Sequence, residues 1–365
     1  MKFVMLLSAF FYSVALAETV DSDRLAFNAK YEELRSLLKE GERRLAAEQG
    51  INMIKLAESI YDESSPQLAD FYLLVISLVA NEIMFNRRLG DVGLARRSLS
   101  LNTQVYGEDS EQAIKGHAAL LKIIFYGRIE DKQSAFKKAR RSALSAAKDM
   151  ETKEVADLYV LLSSLGFSKK SVRKKYADIG AEMHTAVLGE SSFEALQARV
   201  GATRFLSFSK QISEIKKLIP LFQSDERSLR LRAAMHQKLS VLYLTDGEDQ
   251  LSMEQNMLAY ADFKKLGENT DIDAASYRPI LKANPAYPRM AQKKGIEGYV
   301  ILQYTVSKEG FVKNPTVIDS SAPGIFDEAA LDAALKYRYL PMLLSGVPVD
   351  VPGVKTRITF EMANN

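Results

Sequence analysis

The chain contains no cysteine and no tryptophan. Without thiols there are no disulfides, no thiolate metal sites, no cysteine nucleophile and no lipid-modified N-terminal cysteine. Stability must come from packing. Histidine is scarce: His117, His184 and His236 lie far apart, and none has a metal-ligand companion at helical spacing. Such residues are ordinary core or surface histidines rather than a metal site. No nucleophile elbow, phosphate-binding glycine loop or paired-carboxylate motif occurs, so neither an enzyme activity nor a cofactor is expected. The net charge is only +3 over 365 residues. A dedicated nucleic-acid binder would carry a strongly basic domain, so no nucleic-acid partner is expected.

Long apolar runs are also missing, with one exception at the start. Lys2 is followed by about 15 apolar or small residues that close with Ala15-Leu16-Ala17 before Glu18. This is the three-part pattern of a secretory signal peptide, cleaved after residue 17. The alternative is an uncleaved anchor, but a membrane-spanning helix needs about 20 apolar residues and this run is shorter.

Proline is nearly absent from residues 23–266, where Pro66 and Pro220 are the only two. Leu, Ala, Lys, Glu and Arg dominate there, with apolar residues recurring at three and four, so residues 18–266 are expected to be helical. A repeat emerges when the polar loops are aligned. They close on Ala69, Ala113, Ala156 and Ala195, at intervals of 44, 43 and 39 residues. Between them fall Gly90, Gly127 and Gly166, with Gly247 later, each expected to end a helix in the left-handed conformation. Each unit therefore reads as helix, short turn, helix, longer polar loop. A period near 40 belongs to helical hairpins stacked into a solenoid. The arrangement resembles tetratricopeptide repeats, with four to six hairpins. The basic runs at Lys137-Lys138 with Arg140-Arg141, and at Lys169-Lys170 with Arg173, Lys174 and Lys175, read as solvated helix faces.

The texture changes near residue 267. Eight of the ten prolines lie between Pro279 and Pro352. Residues 267–284 read as a linker, and residues 285–365 as a mixed α and β domain. Residues 297–307 alternate, with Val300, Leu302, Tyr304 and Val306 on one face and Tyr299, Ile301, Gln303 and Thr305 on the other, which makes a strand. Lys308-Glu309-Gly310 is a turn, and residues 311–319 return as a second strand anchored by Val312, Val317 and Ile318. Pro315 there signals a bulge or an edge position. Residues 326–339 are expected to be a helix whose face of Phe326, Ala330, Ala333, Ala334 and Tyr337 lies on the sheet and which Pro341 stops. Residues 353–362 form the last strand, with Val354, Thr356, Ile358 and Phe360 opposite Lys355, Arg357, Thr359 and Glu361.

These residues resemble the TonB C-terminal domain. The resemblance rests on Pro285-Ala286-Tyr287-Pro288, Ala291, Gly295-Ile296-Glu297-Gly298 and Val300, then on Val306, Gly310, Val312, Asn314 and Val317. It continues through Phe326-Asp327, Ala329-Ala330-Leu331, Ala334, Tyr337-Arg338-Tyr339 and Pro341. Gly346-Val347-Pro348-Val349 and the strand from Val354 to Phe360 complete it. The resemblance implies a small domain with an antiparallel sheet behind the helical solenoid, in a multidomain chain. It implies a periplasmic location, or inner-membrane anchoring if the first segment is retained. It also implies a partner, the TonB box peptide of an outer-membrane TonB-dependent transporter, added as a strand to the sheet edge. On that reading the partner-binding residues are Ala286, Tyr287 and Pro288 together with Lys355, Thr356, Arg357, Ile358, Thr359 and Phe360. Ala286 stands where energy transducers often carry glutamine. A proline at Ile358 is expected to remove a ladder donor from the edge.

The helical repeats stand where such a transducer has a Pro-rich spacer. They are expected to recruit another protein, either an inner-membrane motor protein or another TonB-family protein. The alternative is a periplasmic scaffold or assembly protein without a transport role, whose small domain serves docking or homodimerisation.

Overall fold

The structure is a computed structural model, and it describes residues 22–267, 279 and 281–362. The segment read as a signal peptide and most of the one read as a linker lie outside the described residues. No helix among the described residues is long and apolar enough to cross a membrane. The chain divides into two compact units, Met1–Glu190 and Ser191–Asn365.

The first unit contains helices α1 (Ser22–Lys39), α2 (Arg43–Ile60), α3 (Pro66–Glu82), α4 (Val92–Tyr106), α5 (Glu111–Tyr126), α6 (Lys132–Ala146), α7 (Lys153–Ser164) and α8 (Lys170–Leu188). Neighbouring helices pack from α1 through α6 and again as the hairpin of α7 and α8, and α5 also packs on both α3 and α7. The sequence repeat has a physical basis here. Each repeated loop supplies a hydroxyl that accepts a bond from a first-turn N–H: Ser65 from Leu68, Ser110 from Ala113 and Thr152 from Val155. The alanine that closes each loop, Ala69, Ala113 or Ala156, is fully buried one turn inside. A cap of this kind stabilises a helix by about 1 kcal/mol. The small side chain lets neighbouring helices approach. Because α3 and α5 are apolar nearly all round, they sit at the centre of the unit.

The glycine expectation needs correction. Of Gly90, Gly127, Gly166 and Gly247, only Gly247 takes a left-handed conformation (φ 84°). Gly127 is required by space instead, since a Cβ would lie 2.5 Å from the Ile123 carbonyl oxygen; at Gly90 a Cβ would lie 2.3 Å from Ile83 Cδ1, the movable end of a side chain.

The second unit opens with α9 (Phe193–Ala202) and α10 (Phe208–Leu218), followed by the long hairpin of α11 (Glu226–Asp246) and α12 (Asp249–Lys265). Ser192 caps α9 as its counterparts cap α3 and α5. Asp262 of α12 is buried, and a two-pronged pair with Arg232 of α11 holds it at 2.6 and 2.7 Å. Burial alone would raise the Asp262 pKa, but the Arg232 hydrogen bonds and charge outweigh it and the carboxyl is held below its ordinary value. Six successive hairpins thus precede residue 267 among the described residues, within the expected four to six.

The rest of this unit is α13 (Arg289–Lys294), β1 (Gly298–Val306), β2 (Val312–Ser320), α14 (Asp327–Leu335), β3 (Met342–Leu344), β4 (Val347–Val349) and β5 (Val351–Phe360). The main sheet is antiparallel in the order β2-β1-β5, and β3 and β4 form a separate hairpin. One sheet face carries Val300, Leu302, Tyr304, Val306, Val354, Ile358 and Phe360, all buried, and α14 with its flanking residues covers it: Ala330, Ala333 and Ala334 from the helix, Phe326 just before it and Tyr337 just after. This is the face read from the alternation.

Two elements differ from expectation. Helix α14 ends at Leu335, well before Pro341, because the next residues are drawn into extended pairing. Arg338 bridges both Leu281 and Phe311, and the Tyr339 N–H donates to the Gly310 carbonyl at 2.9 Å. The β3–β4 hairpin turns on Ser345 (φ 52°) and Gly346 (φ 86°), both left-handed, as a two-residue primed turn requires. Within this unit α12 meets the same region. Asn256 Nδ2 donates to the Pro341 carbonyl at 2.5 Å, and Tyr260 lies against Gly346.

Candidate functional site

The sheet has two edges, and they are built differently. Along β2 the register slips twice. Ile301 faces Asp319 while Leu302 faces Val317, so Ile318 has no partner residue. Gln303 faces Thr316 while Thr305 faces Lys313, so Asn314 and Pro315 together oppose Tyr304. Asn314 takes a left-handed conformation there (φ 51°). These are β-bulges. Pro315 lies in one, as the sequence suggests. Ile318, expected as an apolar anchor, is 47% exposed because it is the extra residue of the other.

Along β5 the pairing runs without a slip from Gly298↔Phe360 to Tyr304↔Val354. A shift appears only beyond Val354, next to Gly353, which takes φ 75°. Among the described residues no further strand lies outside β5.

The direction of the β5 backbone groups follows from β1. The Tyr299 N–H donates to Ser321 Oγ at 2.7 Å, and its carbonyl accepts from the Ser321 N–H at 3.0 Å. Tyr299 therefore points both backbone groups toward β2, and so do the other odd-numbered residues of β1. The even-numbered ones face β5. Their partners Val354, Thr356, Ile358 and Phe360 turn their N–H and C=O groups inward to β1. Lys355, Arg357 and Thr359 turn theirs outward, away from the sheet. The expectation for a proline at Ile358 is thereby corrected: the donor at Ile358 belongs to the internal ladder, and the outward donors are those of Lys355, Arg357 and Thr359.

The side chains divide the same way. Ile358 and Phe360 are buried and Thr356 is partly buried, whereas Lys355, Arg357 and Thr359 are exposed on the outer face. Arg357 is not loose. Its guanidinium lies 3.8 Å from the centroid of the Tyr299 ring, and the Tyr299 hydroxyl donates to Asp319 at 3.1 Å. Tyr299 and Asp319 were not singled out from the sequence, although the alternation that puts Tyr299 on the outer face was the available signal. Glu297 was missed too. Its carboxylate accepts from the Met362 N–H at 2.7 Å and closes the far end of β5.

Tyr287 is brought to the end of β5. Its ring meets Phe326 and Phe360 edge-on, at 5.8 Å in each case, and those two rings stack at 4.4 Å. Its hydroxyl donates to the Ile296 carbonyl at 2.7 Å. Pro288 is partly buried as the residue leading into α13, and Ala286 is exposed. The sequence-predicted site residues therefore gather at one sheet edge and at the segment that abuts its last residue.

Residues 283–362 match the family model described as the Gram-negative bacterial TonB protein C-terminal. The chain is 35% identical over 68 residues to Protein TonB of Vibrio cholerae, covering 19% of this chain and 28% of that protein. It is 32% identical over 75 residues to Protein TonB of Pseudomonas aeruginosa, covering 20% and 22%. It is also 35% identical over 81 residues to Protein TonB of Xanthomonas campestris, covering 22% and 34%. The chain thus spans about a third or less of the length of the curated relatives it matches. A solved structure of the tonb2 protein from Vibrio anguillarum aligns at 28% identity and a TM-score of 0.21, over 27% of this chain and 88% of that one. Residues 283–362 of this chain are a TonB C-terminal domain, and helical hairpins precede it.

Proposed function

We propose that the C-terminal domain binds the TonB box of an outer-membrane transporter by strand addition to β5, in energy-dependent transport across the outer membrane. The observation that carries this is the outward set of backbone groups at Lys355, Arg357 and Thr359, on a stretch of edge from Val354 to Phe360 that has no register slip. An extended peptide satisfies such groups in the way a neighbouring strand would. The buried side chains of Ile358 and Phe360 hold the edge straight. Lys355 and Arg357 beside it select the peptide, and Ala286, Tyr287 and Pro288 flank its end. The helical hairpins recruit a second protein of the envelope, such as a motor protein or another TonB-family member. Residues 1–17 are removed on export to the periplasm, so energy reaches this chain through that second protein.

Homodimerisation through β5 is the weaker reading. Antiparallel pairing of two β5 edges centred on Arg357 would set arginines of the two copies opposite each other, and like charges directly opposite destabilise a sheet.

The test is titration calorimetry of the full chain with a synthetic TonB box peptide. Arg357→Pro should leave the fold intact, since a proline is tolerated where its N–H would face solvent. It should weaken peptide binding by about tenfold or more. A folded R357P chain that binds the peptide as the parent does would overturn strand addition at this edge.

A further inference from the structure

In the first unit a half-open groove of about 360 Å³ runs between α3 and α5, with α1 and α7 at its sides. Its floor is apolar, built by Phe71, Leu74, Ile114 and Ala118. Its walls carry charge of both signs, and almost every charge is answered within the protein. Lys115 lies 3.3 Å from Glu154. Asp157 is held by Lys153 and by His184 Nε2 at 3.1 Å. Asp70 accepts from the Tyr106 hydroxyl at 2.8 Å. Lys122 differs from the other two lysines of the groove: its ammonium donates to the neutral Asn81 Oδ1 at 2.9 Å, and among the described residues no carboxylate lies within ion-pairing distance of it. Burial pulls the Lys122 pKa below its ordinary value, with the Asp157 charge only partly opposing it. A cation so placed gains from any anion that reaches it.

We infer that this groove seats an extended segment of a partner protein, with an acidic side chain of that segment on Lys122 and flanking apolar side chains on the Phe71–Leu74–Ala118 floor. The occupant is argued from charge and from polar groups together. Lys122 and the Asn81 amide N–H groups offer donors for one carboxylate. At the other end Asp70, and between the two ends Ser77, offer acceptors, which backbone N–H groups satisfy and a fatty-acyl chain would leave desolvated. The distance from Asp70 to Asn81 along α3 is about 16 Å, the length of about five extended residues. The inference rests on the reading that the helical region recruits a second protein, and it assigns that role a surface.

The experiment is a positional-scanning selection of capped, C-terminally amidated pentapeptides on the full-length chain. Glutamate or aspartate should be enriched at one position with apolar residues on either side. A selected peptide should bind about tenfold more tightly than its glutamine counterpart. Lys122→Gln should erase that preference while circular dichroism shows an unchanged fold. Asn81→Ala, at an exposed position, gives the same reading should K122Q not fold. Absence of acidic enrichment, equal enrichment with K122Q, selection only when the C-terminal carboxylate is left free, or displacement of the peptide by laurate would each overturn the inference. Affinity capture separates it from the wider reading. If K122Q retains a captured envelope protein, recruitment stands and the groove is not its seat. If neither chain captures one, recruitment falls and the peptide selection still decides the groove.

Discussion

The two edges of one three-stranded sheet meet the same hazard in opposite ways. Both β2 and β5 expose a row of backbone groups that another chain could pair with. β2 breaks its row twice, at Ile318 and at Asn314-Pro315, and a bulged edge makes a poor template. β5 keeps seven consecutive partners in register and lets three residues face outward. The contrast teaches that openness here is placed rather than left over. The domain spends irregularity on the edge to be closed and regularity on the edge to be used.

The comparison can be broken at several points. The largest effect should come from Ile358→Pro. It removes an inward ladder bond and orphans its acceptor on β1, at a cost of about 3 kcal/mol or more. The cooperative melting transition of the C-terminal domain should be lost in I358P and kept in R357P. Equal damage from the two prolines would show that the inward and outward assignment along β5 is wrong.

A smaller effect separates this domain from the helices. His117 in α5 is buried, and its pKa is lowered by that burial to about 4. Its folded-state pKa lies below the ordinary value of 6.5, so the unfolded chain takes up a proton first as pH falls. The stability it contributes is complete above about pH 6.5 and is lost as pH falls toward 4. The expected loss at pH 5 is about 2 kcal/mol. Urea unfolding of the full chain between pH 7 and 5 should show it in the helical transition, and His117→Leu should flatten the slope. Residues 281–362 contain no histidine, so peptide binding at β5 should stay level over the same range.

Deleting Ile318 tests the closed edge. It removes one bulge and lets β2 run further in register, so self-association should rise relative to the parent chain in light scattering. An unchanged mass distribution would mean that Asn314-Pro315 guards the edge alone. The smallest effect belongs to side-chain charge. Replacing Lys355 and Arg357 by glutamine should weaken an acidic or polar transporter peptide by about threefold at low salt and hardly at all at high salt.

Much of this was legible in the chain. The repeated loops gave away the helical hairpins because one Ser or Thr cap and one buried alanine recur at each, a local pattern that survives any tertiary context. The faces of β1 and α14 followed from periodicity for the same reason. The phase of the β5 backbone was not legible. Alternation tells which side chains point inward, but which N–H groups face a neighbour depends on the partner strand, and here Ser321 settles it through Tyr299. Ile318 misled because an apolar β-branched residue reads as an anchor, whereas a bulge is visible only in the register. The end of α14 was lost to non-local pairing, since Arg338 is claimed by Leu281 and Phe311 from distant parts of the chain.

The way the chain joins this domain also sets the order in which mechanical load would reach it. A pull that enters through the segment ending at Leu281, rather than through the α12 contact at Pro341, first meets two hydrogen bonds, at 2.9 and 3.2 Å, to Arg338. Only when these part does tension reach Tyr287, whose ring is wedged against Phe360 at the end of β5. Under the load of the proposed transport role the bridge would act as a fuse: modest force would go into a contact that can re-form, and the strand edge would stay straight until that slack is taken up.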